Sequence, residues 1–361
     1  MTERRYNRGL HFLALLTTAA TFPLIFMGGL VTSHGAGMAV PDWPNTYGYN
    51  MFLFPPSRWV GGIFYEHTHR LMGTVVGMLS IALCLWAWRT DTRRHVRWLA
   101  TGVLGAVIFQ GVLGGLRVVL VKLGLAVVHA CFAQAFFCLA ALTAVVISRW
   151  WSQAPDLTAT EDAGRGRRLV ALATAAVAVV YLQLIVGALM RHYDAGLAIP
   201  DLPLAYGKAL PPADAAGLAE ANALRDGDPL LRHVTLAQVW LHFGHRVGAV
   251  LVTAALLAVS ACVFRLRRAV VGLFTPAALL LVLLAAQVTL GVLTVLWRKP
   301  ADLASAHVAV GALVLVTTFV IAVRAAKLYS PGRRSIRSWF TMSAAATGDL
   351  APAGASLQVT P

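Results

Sequence analysis

Charged residues are scarce in this sequence, and acidic residues are the scarcest of them. Only 12% of the 361 residues are charged, while 58% are hydrophobic. A soluble globular domain carries about 25% charged residues, so the composition excludes that class and indicates a polytopic membrane protein. The 30 basic residues outnumber the 15 acidic ones and give a net charge of +15. Nucleic acid is still not an expected partner, because the basic residues stand between apolar runs rather than along one polar face.

Cysteine is also rare. The four residues, all inside apolar runs and none in a CxxC spacing, are Cys84, Cys131, Cys138 and Cys262. This usage excludes a disulfide framework and a cysteine-based zinc site. A convincing small-residue cleavage site is missing after the first apolar run. We therefore expect that run to be a membrane helix rather than a removed signal peptide.

Long apolar runs are what the sequence has in abundance, and a run of about 20 residues is enough to cross a bilayer. Eight such runs lie near 10–31, 66–88, 98–118, 124–148, 169–190, 236–264, 270–296 and 303–326. Each is expected to be helical, because lipid offers no hydrogen-bond partner to a free backbone group. The predicted fold class is an all-α integral membrane protein with eight transmembrane helices.

The basic residues predict an orientation for these helices. Most of the 30 stand before the first run, in alternate connections between runs, or at or after the end of the eighth. Because Lys and Arg favour the cytoplasmic side, both termini are expected to be cytoplasmic. The second, fourth, sixth and eighth helices then all start on the outer side.

An internal repeat runs through the chain. Residues 28–48 and 187–207 carry the same pattern of glycines, a Pro-Asp pair and a Tyr-Gly pair at an offset of 159. Further along, Gln110 and the Leu-Gly pair after it are matched by Gln287 and its Leu-Gly pair. Four helices repeated in the same orientation indicate two pseudo-symmetric four-helix bundles.

The repeat predicts three parts of the chain. We expect an N-terminal half at 1–150, a C-terminal half at 151–340 and a disordered tail at 341–361. The tail is rich in Ala, Gly, Ser and Pro, a composition that buries too little apolar surface to fold.

Four histidines occupy repeated positions in the second, fourth, sixth and eighth runs: His69, His129, His245 and His307. The predicted orientation puts all four near the outer ends of their helices. Facing helices in a bundle can each supply one imidazole as an axial ligand of haem iron. Zinc would require three or four ligands, so two pairs fit two haems better. The alternative is that these histidines are interfacial or satisfied core groups.

Ionisable neighbours accompany the first histidine of each half. Arg70 and Arg246 each follow one directly and could pair with haem propionates, or reach the lipid headgroups. Glu66 shares a helix face with His69, while His242 holds that place in the second half. A carboxylate beside one haem only could relay protons or stabilise a cation. The alternative for Glu66 is a carboxylate favoured by the helix dipole.

Together these residues resemble the haem A synthase family, whose members convert haem O to haem A. The resemblance covers roughly residues 10–326 and rests on Glu66-x-x-His69-Arg70, His129, His245-Arg246, His307 and Pro41-Asp42-Trp43-Pro44. It implies two similar four-helix halves. It also implies an oxidoreductase that turns the C8 methyl group of haem O into a formyl group by successive hydroxylations.

The resemblance implies different roles for the two halves. His69 and His129, with Arg70, would bind the substrate haem, and Glu66 would assist the chemistry. The C-terminal set would hold a haem b for electron transfer: His245, His307 and Arg246. Many family members carry two cysteines in the first outer loop. The corresponding positions here are Val40 and Thr46, with Ile199 and Ala205 in the second loop, so a thiol role in these loops is excluded.

Two other functions stay open at this stage. One is a di-haem b electron-transfer protein, such as a quinol-oxidising membrane subunit, and the other is a haem carrier. The presence of Glu66 in one half only favours the enzyme. The expected partners are membrane lipid, haem O, a haem O synthase and an electron donor. The expected location is a bacterial inner membrane.

Overall fold

A computed structural model describes residues 6–266 and 272–330, apart from the side chain at 123. Eight of its helices are long and apolar enough to cross a membrane. They are α1 (Arg8–Ser33), α2 (Gly62–Thr90), α3 (Arg94–Leu120), α4 (Leu123–Ile147), α6 (Ala163–His192), α8 (Leu236–Phe264), α9 (Phe274–Leu296) and α10 (Ala301–Tyr329). The described ranges are otherwise turns, short helices and two isolated bridges. The predicted all-α membrane fold is confirmed, and the chain is an integral membrane protein.

Two further helices are short and lie in the connections. They are α5 (Arg149–Gln153) and α7 (Ala215–Ala223). Helix α7 lies in the long connection between α6 and α8, in an Ala-rich segment. Its N-cap is Asp214, whose side chain accepts a hydrogen bond from Gly217 N. An aspartate before an alanine-rich segment is a typical helix start.

Helix α2 begins earlier than its apolar run suggests. It starts at Gly62 after Gly61, whose φ of 53° lies in the left-handed region that favours glycine. Glu66 therefore lies in the second turn rather than at the N-terminus. Because the helix dipole acts mainly on the first turn, it does not account for this carboxylate.

The helices pack as two groups that meet along four inner helices. In the first group α1 contacts α2 and α4, and α3 contacts α2 and α4. In the second group α6 contacts α8 and α10, and α9 contacts α8 and α10. Helices α1 and α4 of the first group pack on α10, and α4 also packs on α6. This packing is consistent with two four-helix bundles related by the repeat.

Parts of the predicted charge pattern lie outside the described residues. These are Arg4, Arg5, Arg267, Arg268, Arg333, Arg334 and Arg337. The predicted tail at 341–361 and the first two residues of the run predicted at 270–296 lie outside them as well.

Candidate functional site

Each of the four repeated histidines lies against a glycine of a neighbouring helix. A Cβ added to that glycine would approach the imidazole Cε1 within 3.0–3.2 Å. The four contacts are Gly28–His69, Gly114–His129, Gly187–His245 and Gly291–His307. Any larger residue would push the ring aside, because such an approach is tighter than ordinary van der Waals contact. The repeated glycines thus let all four rings approach a helix backbone closely through Cε1.

The C-terminal pair has the spacing of two ligands on one metal atom. The ring centres of His245 and His307 lie 6.5 Å apart, with their planes inclined at 68°. A metal–imidazole nitrogen bond is about 2.0–2.1 Å long, so one metal atom between the two rings fits this separation. His69 and His129 are the corresponding residues of α2 and α4.

The donor set fits a haem better than a bare metal ion. Within the described residues, no three His, Cys, Asp or Glu side chains group closely enough to hold an ion. Two imidazoles suffice for haem iron, whose other four ligands belong to the macrocycle. A Cβ built at Gly73, one turn after His69, meets no atom of the described chain within 4 Å. That face of α2 leaves clearance for a flat ring.

Side-chain amides hold the histidines of the C-terminal half. Gln183 Nε2 lies 2.8 Å from the His245 carbonyl oxygen and 3.1 Å from its Nδ1. His307 Nδ1 lies 3.1 Å from the backbone carbonyl of Gln287, and Gln287 Nε2 lies 3.3 Å from His307 Nε2. Of these contacts, the one from His307 Nδ1 to the Gln287 carbonyl is the kind that orients a histidine that binds metal.

The N-terminal histidines have fewer such partners. Gln110 Nε2 donates to the His129 carbonyl at 2.8 Å and not to its ring. The backbone carbonyls of Leu24 and Gln110 come near the rings of His69 and His129. Still, the Nδ1 atoms of both histidines are buried without a hydrogen-bond partner among the described residues. The two pairs are therefore held to different degrees.

The loops 34–61 and 193–235 pack against the first turns of α2 and α8 and share one turn geometry. In the first, Tyr47 and Gly48 have φ of 50° and 77°, and Thr46 pairs with Tyr49 in a type I′ arrangement. The carboxylate of Asp42 accepts the N–H groups of Tyr47 and Gly48, both at 2.8 Å. Asp201 holds Tyr206 and Gly207 in the same way at 2.8 and 2.9 Å. The Pro-Asp pairs fix the loops, as their repetition predicts.

The charge state of Asp42 depends on this turn. Partial burial would raise the pKa of Asp42. The N–H groups of Gly48 and Tyr47 and the charge of Arg70 more than offset it, and hold the pKa below its ordinary value of 3.8.

Arg70 and Glu66 connect α2 to the first loop. The Arg70 guanidinium donates to the carbonyl oxygens of Val40, Asp42 and Asn45 at 2.7–2.9 Å and to Glu66 Oε1 at 3.0 Å. Glu66, only 2% exposed, also accepts Val40 N–H at 2.9 Å through Oε2. The pair thus anchors the loop above the first histidine pair, a role that the sequence did not suggest.

Arg246 and His242 make the corresponding connection in the second half. Arg246 donates to the carbonyl oxygens of Ile199, Asp201 and Leu204 at 2.8–3.0 Å. His242 Nδ1 accepts Ile199 N–H at 3.1 Å, and its Nε2 lies 3.4 Å from Arg246 Nε. A neutral imidazole has one acceptor nitrogen, whereas a carboxylate has two acceptor oxygens. Glu66 therefore holds both its partners, and His242 can hold only one of them well.

His67 belongs to the loop rather than to the histidine pairs. It is fully buried, 4.7 Å from Trp59 and 5.1 Å from Phe54 between ring centres, and its Nδ1 lies 3.2 Å from Thr46 Oγ1. Two positions before His69 on α2, His67 points away from the face of His69.

Sequence reasoning missed three basic groups that lie near the histidines. Arg117 of α3 donates to Gly37 O at 3.0 Å. Its positive charge is close enough to interact electrostatically with His69 and His129. Arg191, at the end of α6, donates to Gly29 O of α1 between the two groups, and its charge reaches His307. His192 is the third, and it lies near His129. Arg117 follows Gly114 by three positions, so helical spacing could have placed it on the same face.

Comparison with known proteins gives a family match over most of the chain. A sequence model of COX15-CtaA, described as cytochrome oxidase assembly protein, matches residues 11–320. This range includes all four histidines and both outer loops.

Three individual relatives are 27–30% identical to this chain over the aligned residues. The heme A synthase of Shouchella clausii is 28% identical over 70% of this chain and 82% of its own length. That of Shewanella oneidensis is 27% identical over 86% of this chain and 95% of its own. That of Symbiobacterium thermophilum is 30% identical over 57% of this chain and 66% of its own.

Proposed function

The chain belongs to the COX15-CtaA family of cytochrome oxidase assembly proteins, and we propose that it acts as a haem A synthase. The reaction would oxidise the C8 methyl group of haem O to a formyl group and give haem A. The similar proteins named above are all heme A synthases. The protein would thus be an oxidoreductase whose substrate is itself a haem.

The observation that supports this function most is the set of four histidine–glycine contacts. They occur at matching places in both halves, and a Cβ at any of the four glycines would crowd a ring. A single buried histidine is commonly a packing residue, but four in register make two ligand pairs. Two haem sites in one chain suit an enzyme that needs one haem as substrate and another as electron carrier.

We assign the substrate to the N-terminal half, 1–150. His69 and His129 would bind the iron of haem O, and no side chain of the described residues hydrogen-bonds the Nδ1 atom of either ring. Glu66 would assist the chemistry by holding a proton or stabilising positive charge near the reacting methyl group. Its second function is the loop contact with Val40 N, which keeps the carboxylate next to the site.

We assign haem b to the C-terminal half, 151–340. His245 and His307 would hold it, and when bound it would supply one-electron chemistry to the other half. The side-chain amide of Gln183 contacts His245 Nδ1, and the backbone carbonyl of Gln287 would orient His307 through its Nδ1.

Arg70 and Arg246 remain proposed partners of the haem propionates. Three of the four hydrogen bonds that each guanidinium makes go to loop carbonyl oxygens. Each arginine would therefore approach a propionate from the side of the loop. The same guanidinium would hold that loop in place. Arg117, whose charge reaches His69 and His129, is a further cation on the substrate side.

We also propose that the chain lies in a bacterial inner membrane with both termini in the cytoplasm. The distribution of Lys and Arg supports this orientation. A haem O synthase and an electron donor are the proposed protein partners. The electron-transfer and carrier alternatives are not favoured, because the similar proteins carry the name heme A synthase.

Co-expression tests the proposed activity. The protein is produced with a haem O synthase in a host that lacks haem A, under aerobic conditions, and the haems are extracted and separated by chromatography. We expect hydroxylated and formyl products that are absent when the protein is omitted. Accumulation of haem O alone, with the protein present in the membrane, would reject the function.

A further inference from the structure

One face of α3 is turned towards His129 and carries a cation. Gln110 Nε2 donates to the His129 carbonyl oxygen at 2.8 Å, and Gly114 lies against the His129 ring. Arg117 follows Gly114 by three positions, so it lies on the same face, about one turn nearer the C-terminal end of the helix. The guanidinium of Arg117 therefore belongs to the surroundings of the N-terminal histidine pair.

The matching face of α9 has a threonine in place of this arginine. The repeat places Gln287, Gly291 and Thr294 on that face, and Gly291 lies against the His307 ring. Thr294 Oγ1 donates to Leu290 O of its own helix at 2.7 Å. The two halves thus share the amide and the glycine but differ in charge at the third position.

Most of the hydrogen-bonding capacity of Arg117 is not used by the loop. A guanidinium has five N–H donors. Within the part of the chain that the structure describes, Arg117 donates one hydrogen bond, from Nη2 to Gly37 O at 3.0 Å. Arg70 donates four, three of them to loop carbonyl oxygens. A half-buried guanidinium with several remaining donors is suited to a carboxylate that arrives with a ligand.

Arg117 also lies near the proposed catalytic carboxylate. Its charge and that of Glu66 are close enough to interact electrostatically. Both oxygens of Glu66 already have hydrogen-bond partners, which are Val40 N–H and Arg70. Glu66 therefore leaves the guanidinium of Arg117 to another acceptor, and a group bound by Arg117 would lie close to Glu66.

The substrate of the proposed reaction offers a matching acceptor. Haem O carries two propionates, and its C8 methyl group stands on the same pyrrole ring as one of them. A guanidinium binds a carboxylate through two parallel N–H groups, so it fixes direction as well as position. A cation that held this propionate would also fix the place of the neighbouring methyl group.

We propose that Arg117 binds the propionate next to the C8 methyl group of haem O and thereby directs that methyl group towards Glu66. The inference rests on the proposed function and deepens it, because it names the residue that selects one edge of the ring for reaction. Arg70 stays the proposed partner of the other propionate. In the second half, Thr294 and His242 occupy the two places, so the ring there has neither this cation nor this carboxylate.

Binding of haem b and of its dimethyl ester tests the proposal without turnover. Haem b has the same propionates as haem O, and the ester lacks their charge. Both are titrated into the full-length protein in detergent, with the C-terminal site disabled by His245→Ala. The preference for haem b over the ester should fall by about 10-fold or more when Arg117→Thr is added. An unchanged preference, or an equal loss of affinity for both ligands, would overturn the proposal.

Two further variants separate this contact from general effects of charge and folding. Lys122→Thr removes an exposed cation just beyond the end of α3, and it should keep the preference of its parent. Arg117→Gln keeps an N–H donor for the loop and removes the charge, so it should lose the preference even if Arg117→Thr does not accumulate. A preference lost in Lys122→Thr, or kept in Arg117→Gln, would contradict the assignment.

Product formation tests the orienting role. In co-expression with a haem O synthase, Arg117→Thr should lower the yield of haem A per bound haem O by about 10-fold or more, because a methyl group displaced from Glu66 reacts poorly. A wild-type yield per bound haem O would overturn that role. Failure of the unsubstituted protein to form haem A would reject the enzyme, and the binding preference would still be measured independently.

Discussion

At the scale of single residues, Glu66 is the group that distinguishes the halves. Its two oxygens hold Arg70 and Val40 N, whereas His242 offers one acceptor in the same place. The carboxylate is thus both a loop anchor and the proposed catalytic group. A substitution that keeps its size and removes its charge separates these two functions.

We predict that Glu66→Gln lowers product formation by about 100-fold, the scale of a lost general acid or base. The amide oxygen can still accept Val40 N–H, and Arg70 loses its bond to residue 66 but keeps its three bonds to loop carbonyl oxygens. The loop and the haem b content should therefore be preserved. Chromatography of extracted haems measures the product, and the absorbance of the purified protein measures haem b. If product formation is unchanged, Glu66 has only its anchoring function.

The sequence predicted the residues of this site better than their contacts. Repetition identified His69, His129, His245 and His307 as a set. It could not show that Arg70 donates to loop carbonyls, because the sequence does not reveal how the loop folds back over α2. Likewise Gly28 and Gly114 stood out only as repeated glycines, and their contacts with histidines depend on how the helices are rotated.

At the scale of helices and loops, the apolar runs predicted all eight spanning helices but not their ends. Helix α6 begins at Ala163, ahead of the predicted 169, because its first turn contains arginines that were taken as loop. Hydropathy detects the lipid-facing length of a helix, and a helix continues past it wherever its backbone bonds persist. Helix α2 also begins earlier, at Gly62 rather than at the predicted 66.

The glycine contacts make a prediction about helix packing. Gly291→Ala on α9 should displace the His307 ring by a few tenths of an ångström, because the new Cβ would lie 3.0 Å from Cε1. We expect a reduced haem b content per protein, measured by absorbance. The matched control is Gly105→Ala on α3, where no described atom lies within 4 Å. It should keep its haem and gain roughly 0.5–1 kcal/mol of helix stability. Equal losses in both would contradict the contact.

The first outer loop should respond to acid through Asp42. Because its pKa is held below 3.8 in the folded protein, its stabilising effect is full above that value and is lost as pH falls through the folded pKa. The melting temperature of wild type should therefore exceed that of Asp42→Asn at pH 6, and the gap should narrow towards pH 3. Asp194→Asn, at a mostly exposed carboxylate, is the control. A gap that stays constant with pH would rule out this mechanism.

At the scale of the whole molecule, two similar halves are proposed to carry different chemistry. Their loops have the same turns, aspartates and arginine contacts, and each of their four histidines packs against a glycine of a neighbouring helix. They differ at Glu66, which stands where the second half has His242, and in the contacts that Gln183 and Gln287 make with the rings of their histidines. On the proposed function, duplication would supply two haem sites of one design, and these differences would separate a site for reaction from a site for electron transfer.

The most direct test of this division compares two single-ligand variants after purification. His69→Ala removes a ligand of the N-terminal pair, and His245→Ala removes one of the C-terminal pair. His233→Ala, at an exposed loop histidine, is the control. The account predicts that His69→Ala and His233→Ala keep the haem b spectrum and that His245→Ala loses it. A retained haem b spectrum in His245→Ala, or its loss in His69→Ala, would contradict the division of roles between the halves.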